Sequence, residues 1–334
     1  MASSLSPVPA ASANVDPPAS PAADPAATKG QITLGLLAVY LVWGSTYLGI
    51  RVAIESLPPM LMAGTRFFVA GLLMMAFARL RWQTPWPTPR QWRDAGIVGG
   101  CLLLAGNGGV TLAERHLPSG LVALLVTTVP MFLLLFGWWA GMSPRPGLPI
   151  LGSLALGWVG VGLLVHPSSV PVAGAAAAPT NGIRFYGDAA LVLGAAAVWA
   201  AGSLYAKRAD KPASAVQAVG AQMLLGGAMQ LLAGTLAGEW ALLHPAAVTA
   251  RSLWALLYLT LCGSLVGFSA YVWLLGVCSP SLVGTYAFVN PAVAVGLGWW
   301  LLGEPVSPAM GLGMGIILTA VALIVLWPGK PRPA

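Results

Sequence analysis

Residues 130–144, PMFLLLFGWWAGMSP, recur as residues 291–305, PAVAVGLGWWLLGEP, and these two stretches decide the fold. A shift of 161 residues superposes the prolines at both ends, a glycine and a Trp-Trp pair, and a shift of 156 residues superposes Trp43 on Trp199. Self-similarity at a fixed spacing indicates a repeated structural unit. The sequence therefore predicts two copies of one unit.

The composition outside these stretches is equally apolar. Of the 334 residues, 57% are hydrophobic and 7% are charged, whereas about 25% are charged in soluble domains. A soluble fold is excluded, because its surface needs far more charge to face water. The three cysteines lack metal-ligand spacing, so neither a disulfide framework nor a metal site is predicted, and no motif predicts a cofactor.

Apolar runs of about 20 residues, each long enough to cross about 30 Å of hydrocarbon as a helix, follow one another from Lys29 onward. We predict an all-α polytopic membrane protein with ten transmembrane helices. Their predicted limits are 32–52, 60–79, 95–113, 118–140, 148–166, 186–206, 214–236, 252–275, 281–302 and 308–327. Continuous apolar runs exclude a barrel of alternating strands.

The predicted domain organisation follows from the duplication and from the segments that lack apolar runs. It comprises a disordered cytoplasmic tail (1–28), a first five-helix repeat (29–166), an extracytoplasmic linker (167–185), a second five-helix repeat (186–328) and a cytoplasmic C-terminus (329–334). Because five is an odd number of spans, the second copy enters the membrane from the opposite side. The two repeats are therefore inverted, as in many secondary transporters.

The Lys and Arg distribution predicts the orientation. With both termini in the cytoplasm, eleven of these residues fall on the cytoplasmic side and four on the other side, in agreement with the positive-inside rule. The basic residues form no stripe with interleaved aromatic residues, so nucleic acid is not a predicted partner. The predicted location is the cell inner (plasma) membrane, with the lipid bilayer as the main partner.

Four motifs in this order resemble the EamA-type family of the drug/metabolite transporter superfamily. They are WGSTYLGIR (43–51), TRFFVAGLL (65–73), LPSGLVALLVTTVP (117–130) and NPAVAVGLGWWLLGEPVS (290–307). The resemblance covers residues 31–328 and implies a bacterial inner-membrane exporter of small metabolites, such as amino acids, nucleosides or drug-like compounds. It also implies a substrate pocket between the two halves.

Polar and aromatic side chains within the spans are the candidate substrate-binding residues, because hydrocarbon forces polar groups towards protein or a watery cavity. The candidates are Trp43, Tyr47, Arg66, Asn107, Thr128, Trp199, Gln222, Tyr271 and Asn290, with Thr127, Thr285 and Tyr286 in the same class. The alternatives are hydrogen bonds between helices for the polar group and simple packing for the aromatic group.

Arg66 is the sharpest of these candidates, since a charge inside a span is costly unless it is paired, hydrated or able to reach the interface. Its guanidinium is suited to a substrate carboxylate or phosphate. The alternative is a structural anchor that reaches the interface or binds backbone carbonyls. Pro130 and Pro291 are predicted helix breaks, each of which frees a backbone carbonyl for a ligand or merely shapes the helix.

Glu114, Asp188 and Glu304 are the acidic candidates for proton coupling, but all three fall at predicted span ends. We favour structural roles, with Glu304 in a tight turn and Asp188 as the cap of the sixth span. The first copy has Met142, Ser143 and Pro144 where the second has Gly303, Glu304 and Pro305, so this acid is not duplicated.

The sequence favours a secondary active transporter of a small molecule over two alternatives. An intramembrane enzyme needs a nucleophile and a base, or a metal cluster, and the spans offer neither. A passive channel is the other alternative. Protons are the candidate coupling ion, and both a monomer and a homodimer remain open.

The charge distribution predicts the outcome of cysteine labelling in intact cells. A cysteine at position 330 or at positions 84–90 should be protected from a membrane-impermeant reagent, and one within 167–185 should react, because the Lys and Arg bias holds both termini in the cytoplasm. The natural Cys101, Cys262 and Cys278 are replaced by serine beforehand. Labelling of position 330 from outside would contradict the inverted arrangement.

Overall fold

The computed structural model describes residues 27–142, 145–165, 182–278, 280–283 and 285–326. All regular secondary structure in these residues is helical, which confirms the all-α class. Seven of the helices are long and apolar enough to cross a membrane. The predicted tail (1–28), linker (167–185) and C-terminus (329–334) lie wholly or mostly outside the described residues.

The helices begin and end close to the predicted limits. In chain order they are α1 (Lys29–Ala53), α2 (Pro59–Trp82), α3 (Pro89–Ala113), α4 (Ser119–Trp139), α5 (Leu148–Leu164), α6 (Gly182–Arg208), α7 (Ala215–Leu236), α8 (consecutive segments Ala250–Tyr258, Leu259–Val266 and Gly267–Val277), α9 (Tyr286–Leu302) and α10 (Pro308–Leu326). The apolar helices α5, α9 and α10 are shorter than the other seven. The main differences are at three helix starts: α3 and α6 begin before the predicted limits of 95 and 186, and α9 begins after the predicted limit of 281.

Local sequence explains several helix ends. Thr28 and Thr88 form capping boxes at the starts of α1 and α3, each accepting a hydrogen bond from the backbone N–H of a glutamine three residues later. Such caps satisfy N–H groups that have no partner within the helix. Gly303 ends α9 in the left-handed region, at φ 63°, which glycine adopts at little cost.

Two of the long helices contain a π-helical stretch near their middle. It covers Gly100–Asn107 in α3 and Leu259–Val266 in α8. A π-helical turn widens the helix and interrupts its regular hydrogen bonding, and such turns are frequent at functional sites. The hydropathy pattern did not predict either stretch, because an apolar run looks the same in both kinds of helix.

Helix α4 is broken rather than kinked. Its first segment ends at Val126 and its second begins at Val129, so that Pro130 lies in the first turn of the second segment. Proline fits this position because the N–H that it lacks would have no partner there. The other predicted break, Pro291, lies inside α9.

Helices α2 and α7 pack along one another at very short range. A Cβ atom on Gly71 would overlap the backbone of Leu224, and one on Gly227 would overlap the backbone of Phe68. Gly220 of α7 likewise lies against α2. Small residues let helix backbones approach closely in membranes, where packing replaces the hydrophobic driving force between helices.

The other helices surround this central pair. Helices α5 and α10 meet where Gly160 faces the backbone of Gly313, and α1 packs against α9 where Gly44 faces Val293. The largest core cluster is apolar and joins α1, α4, α5, α6 and α10, with Leu121, Leu124 and Leu164 essentially inaccessible.

The Trp-Trp pairs of the repeated stretches face outward. Trp139 near the end of α4 is 86% exposed and Trp300 near the end of α9 is 72% exposed. Tryptophan is enriched where helices meet the lipid headgroups. These residues therefore contribute to contact with the membrane and not to the core.

The α2–α7 contact predicts a difference between two glycines. Gly227→Ala places a methyl group against the Phe68 backbone and should destabilise the purified protein by about 1–3 kcal/mol, the usual cost of overpacking. Gly194→Ala is the matched control, because open space surrounds Gly194 in α6. Thermal unfolding in detergent measures both, and equal unfolding temperatures would contradict the contact.

Candidate functional site

Four aromatic rings from α1, α8 and α9 form a cluster centred on Trp43. The centroid of the Trp43 ring lies 5.1 Å from that of Phe268, 5.0 Å from that of Tyr271 and 5.2 Å from that of Tyr286. The rings of Tyr271 and Tyr286 lie 5.8 Å apart. These separations are typical of direct aromatic contact. We call these four residues the aromatic cluster.

Trp43 also contacts the π-helical stretch of α8. Its indole N–H donates to the carbonyl oxygen of Gly263 at 3.2 Å, and its ring packs so close to Gly267 that a Cβ atom there would overlap it. The widened stretch thus offers both a free carbonyl and room for a large ring. Trp43, Tyr271 and Tyr286 are all candidates predicted from the sequence, and the structure brings them together.

Arg66 of α2 lies beside the aromatic cluster and contacts the same π-helical stretch of α8. It is 4% exposed, and its Nε donates to the Oγ of Ser264 at 2.9 Å. A Cβ atom on Gly263 would lie 3.0 Å from the Arg66 guanidinium, so this glycine makes room for it. The guanidinium carbon also lies 4.5 Å from the centroid of the Phe67 ring, within the range of a cation–π contact.

A polar group continues the cluster along α1 and α9. The Tyr40 hydroxyl is hydrogen-bonded to Thr285. Oriented with its nitrogen towards them, the Asn290 amide donates to the carbonyl oxygens of Tyr40 and Tyr286 at 3.2 Å each. Two predicted candidates, Thr285 and Asn290, therefore lie next to the aromatic cluster, and Asn290 bonds the backbone of Tyr286 within it.

Other predicted candidates lie elsewhere. Trp199 of α6 packs on Gly106 in the π-helical stretch of α3, and next to it the Asn107 carbonyl accepts from Thr111 at 2.9 Å. The Thr128 hydroxyl donates to the carbonyl of Leu125 in its own helix at 2.7 Å.

Gln222 and Tyr47 are also separate from the aromatic cluster. The carbonyl oxygen of Gln222 lies against Gly99 of α3, and the neighbouring Leu224 is level with Gly71 of α2. Gly71 lies more than one helical turn beyond Arg66 along α2. Gln222 of α7 is therefore farther along this helix pair than Arg66. Tyr47 packs against the largest core cluster.

Three residues that make these contacts are not among the candidates predicted from the sequence. Phe268 shares a helix face with Tyr271, three residues away, and that spacing was the available signal. Ser264 and Gln230 are fully buried. The Gln230 amide nitrogen donates to the carbonyl of Leu103 in the π-helical stretch of α3 at 2.8 Å, a partner that no sequence pattern shows.

Glu304 caps a helix that is distant in sequence. Its carboxylate accepts hydrogen bonds from the backbone N–H groups of Ser119 at 2.9 Å and Gly120 at 3.2 Å, and from the Ser119 hydroxyl at 2.9 Å. A carboxylate at a helix start satisfies free N–H groups and opposes the positive end of the helix dipole. Glu304 therefore connects the end of α9 to the start of α4.

Glu239 caps a helix in the same way, whereas Asp94 binds the chain just beyond the end of α6. Glu239 accepts from the backbone N–H groups of Met60 at 3.0 Å and Leu61 at 2.9 Å at the start of α2. Asp94 accepts from the N–H of Asp210 at 2.8 Å and the Tyr205 hydroxyl at 2.9 Å. Each of these acids is bonded to a helix or loop far away in the sequence.

The prediction that Asp188 caps the sixth span is wrong. Helix α6 begins at Gly182, so Asp188 lies within the helix. Its carboxylate instead lies 3.1 Å from the Nδ1 of His116, whose Nε2 contacts Arg184 at 2.5 Å. Burial lowers the pKa of His116 below its ordinary value, with Asp188 acting in the opposite direction.

The sequence is similar to a family of known proteins. The model of the EamA-like transporter family matches residues 30–165 and again residues 188–326. The chain is 38% identical over 304 residues to the uncharacterized inner membrane transporter YedA of Escherichia coli (strain K12), covering 89% of this chain and 92% of that protein. It is 26% identical over 303 residues to the uncharacterized transporter YvbV of Bacillus subtilis (strain 168), again covering 89% of this chain and 92% of that protein.

A solved structure supports the fold. A crystal structure 18% identical in sequence superposes with a TM-score of 0.58 and covers 91% of this chain and 100% of that chain.

The cap at Glu304 predicts a loss of stability on its removal. Glu304→Ala leaves the N–H groups at the start of α4 without an acceptor, which should lower the free energy of unfolding by about 1–2 kcal/mol. Glu55→Ala is the control, because the Glu55 carboxylate is 40% exposed and lies 3.7 Å from Arg251, a surface pair that contributes little. Thermal unfolding of the purified proteins tests this, and a Glu304→Ala protein as stable as the control would refute the cap.

Proposed function

Because the chain belongs to the EamA-like transporter family, we propose that it is a secondary active transporter that exports small metabolites across the bacterial inner membrane. Amino acids, nucleosides and drug-like compounds are the proposed substrate classes. The relatives' names support transport at the inner membrane. We therefore propose a transport function without enzymatic activity.

We propose that the helices form two inverted five-helix repeats, 29–166 and 186–328, with both termini in the cytoplasm. The two separate matches to one family model support this arrangement. So does a matched pair of contacts: Trp43 packs on Gly267, and Trp199 packs on Gly106. The shift of 156 residues relates the two tryptophans and the shift of 161 relates the two glycines.

The same relation extends to the helix pairs. Helix α1 packs against α8 and α9, and helix α6, its counterpart in the second repeat, packs against α3 and α4. Helices α2 and α7 pack on each other, and so do α5 and α10. Each of these contacts between the repeats has its counterpart, which supports a two-fold relation. Rocking of one repeat against the other would then alternate access to a site between them.

The burial of Arg66 is the main observation that supports the proposed pocket. A guanidinium has five N–H donors, and a cation buried among helices is costly unless its charge is balanced. Arg66 lies at 4% exposure next to Ser264 and the aromatic cluster. We propose that a substrate carboxylate or phosphate binds Arg66, while the rings contact the apolar part of the substrate.

The remaining sequence candidates line the proposed path more loosely. Trp199 packs on Gly106 next to Asn107, in the contact that the two repeat shifts relate to that of Trp43 with Gly267. Thr128 and Gln222 lie on α4 and α7. Tyr47 faces the core between the cluster and the far end of α1. Pro130 lies at the break of α4 and Pro291 inside α9, and we propose that both shape the helices near the pocket.

An export assay with Arg66 variants tests the pocket. Arg66→Gln should lower transport of an anionic solute about 10- to 100-fold, the equivalent of about 1.5–3 kcal/mol for hydrogen bonds to a charged group, and Arg66→Lys should retain part of it because the charge remains. Arg79→Gln, on the same helix, is the control, since Arg79 bonds the Thr84 carbonyl at the other end of α2.

The substrate for this assay comes from a screen of amino acids, nucleosides and cationic drugs in cells that lack or overproduce the protein. Protein amounts in the membrane are measured beside transport, so that an assembly defect is recognised. An Arg66→Gln protein that assembles normally and exports at the original rate would make Arg66 a structural anchor. An uncoupler that leaves accumulation unchanged would favour the passive channel.

A further inference from the structure

The guanidinium of Arg66 has a single hydrogen-bond partner in the described part of the chain. Its Nε donates to the Oγ of Ser264 at 2.9 Å, and Arg66 is 4% exposed while Ser264 is 0% exposed. The terminal nitrogens Nη1 and Nη2 have no hydrogen-bond partner among the described residues, and none of the ion pairs that these residues form includes Arg66. Because a guanidinium has five N–H groups, most of them are left for a ligand or for water.

The two edges of this guanidinium have different surroundings. Nε and Nη2 form one edge, Nη1 and Nη2 form the other, and a fork of two N–H groups can hold both oxygens of a carboxylate or phosphate. The first edge lies against α8, where Nε bonds Ser264 and a Cβ atom on Gly263 would lie 3.0 Å from Nη2. Phe67 covers one face of the group, with its ring centroid 4.5 Å from the guanidinium carbon. The second edge is therefore the one left for an anion.

Ser264 uses its hydroxyl differently from most hydroxyl residues within the described helices. Such hydroxyls often bond the carbonyl one turn earlier, as those of Ser153 and Ser203 do at 2.9 and 2.8 Å. Thr260, in the same π-helical stretch, also bonds a carbonyl of its own helix at 2.8 Å. The Oγ of Ser264 instead accepts a hydrogen bond from another helix. Its contact with Arg66 is thus a contact between α8 and α2.

The same turn of α8 also contacts the aromatic cluster. The carbonyl oxygen of Gly263 accepts from the Trp43 indole at 3.2 Å, and the missing side chain of Gly263 leaves room for the Arg66 guanidinium. One glycine therefore contacts both the cation and the ring of Trp43. A ligand that reaches both groups needs its acidic group close to its apolar part.

We propose that Ser264 is a positioning residue for Arg66, and that it directs the Nη1–Nη2 edge towards an oxyanion, a carboxylate or a phosphate, that lies next to an apolar group of the ligand. This inference rests on the proposed function, which places the substrate at Arg66. An arginine held at Nε presents its other edge in one orientation, and the planar fork adds geometric specificity to the charge. Ser264 itself does not bind the anion.

Nuclear magnetic resonance of the purified full-length protein in lipid nanodiscs, with isotope-labelled arginine, tests the positioning without any ligand. The Nε–H signal of Arg66 is identified by its absence in Arg66→Lys. In Ser264→Ala this signal should shift and should exchange with water about tenfold faster, because the N–H loses its acceptor. An unchanged signal in Ser264→Ala would overturn the positioning role.

Ser252→Ala is the matched control for this measurement. Ser252 is also 0% exposed, lies on α8 and bonds another helix, since its Oγ donates to the carbonyl of Val52 at 2.9 Å. Its loss should leave the Nε–H signal of Arg66 in place. A shift as large as that in Ser264→Ala would show a general disturbance of α8 and would overturn the specific role of Ser264.

Benzoate and phenylphosphate are the probes for the free edge, and benzamide is the neutral control of similar shape. In the unsubstituted protein benzoate should shift the guanidinium carbon signal of Arg66 and leave its Nε–H signal nearly in place, because that N–H stays on Ser264. In Ser264→Ala the freed Nε can bind the anion together with Nη2, so benzoate should shift both signals. Benzamide should shift neither signal.

Three results of this titration would overturn the choice of edge. They are a shift of the Nε–H signal by benzoate in the unsubstituted protein, equal shifts from benzamide, and no shift from either anion. A response to only one of the two anions supports the proposal and shows whether the acidic group is a carboxylate or a phosphate.

The transport assay separates failure of this inference from failure of the proposed function. For an anionic solute found in the screen, Ser264→Ala should raise KM about 3- to 10-fold, the range expected for one lost hydrogen bond, with kcat nearly unchanged, and Ser252→Ala should retain both values. Transport that depends on Arg66 but has an unaltered KM in Ser264→Ala refutes the role of Ser264 alone. If no solute is transported, the proposed function fails, whereas the resonance signals still decide whether Ser264 directs Arg66 towards an anion.

Discussion

Carboxylates that cap helices from distant parts of the chain are the interaction on which this structure depends. The first N–H groups of a helix have no partner within it, and in a membrane protein water does not reach all of them. Glu239 reaches the start of α2, Glu304 reaches the start of α4, and Asp94 reaches the backbone of Asp210. In each case the acid and its donor belong to different family segments, 30–165 and 188–326. Of the nine acidic residues in the chain, two cap a distant helix start and a third binds the backbone just beyond the end of α6.

The sequence predicted helix positions well because hydropathy is a local property. The limits of α2, α7 and α10 agree with the described helices to within a few residues, since lipid requires a fixed length of apolar chain. The Trp-Trp pairs were sound markers of the repeat, but they face outward. Their recurrence reflects the membrane interface and carries no information on the site.

The site was predicted only in part, because its members meet through helix rotation and long-range packing. Trp43, Arg66, Tyr271 and Asn290 come together around α8, but Ser264 looked like any small residue of an apolar run. The π-helical stretches moved the register of α3 and α8, and no periodicity in the sequence shows such a shift.

The duplication also explains why the site is unequal. Under the shift of 161 residues Phe268 corresponds to Asn107 and Tyr271 to Val110, so the second repeat has aromatic rings where the first has an amide and an aliphatic side chain. The pocket that we propose between the repeats would have one face suited to stacking and one suited to hydrogen bonds. Duplication followed by divergence therefore preserves the packing glycines while it changes the chemistry around them.

The caps also constrain motion. Met60 lies at the start of α2 and Asp94 at the start of α3, so these two connections lie at opposite ends of the helices, and both are formed in the described structure. A movement that separates the two family segments at one end must break the hydrogen bonds there, at about 1–3 kcal/mol for each buried group left unsatisfied. The connections at the other end need not break, because small residues along α2 and α7 allow the helices to tilt about a close contact. A movement of this kind exposes one end at a time, and Arg66 and Glu114 lie close to the end that Glu304 and Glu239 connect.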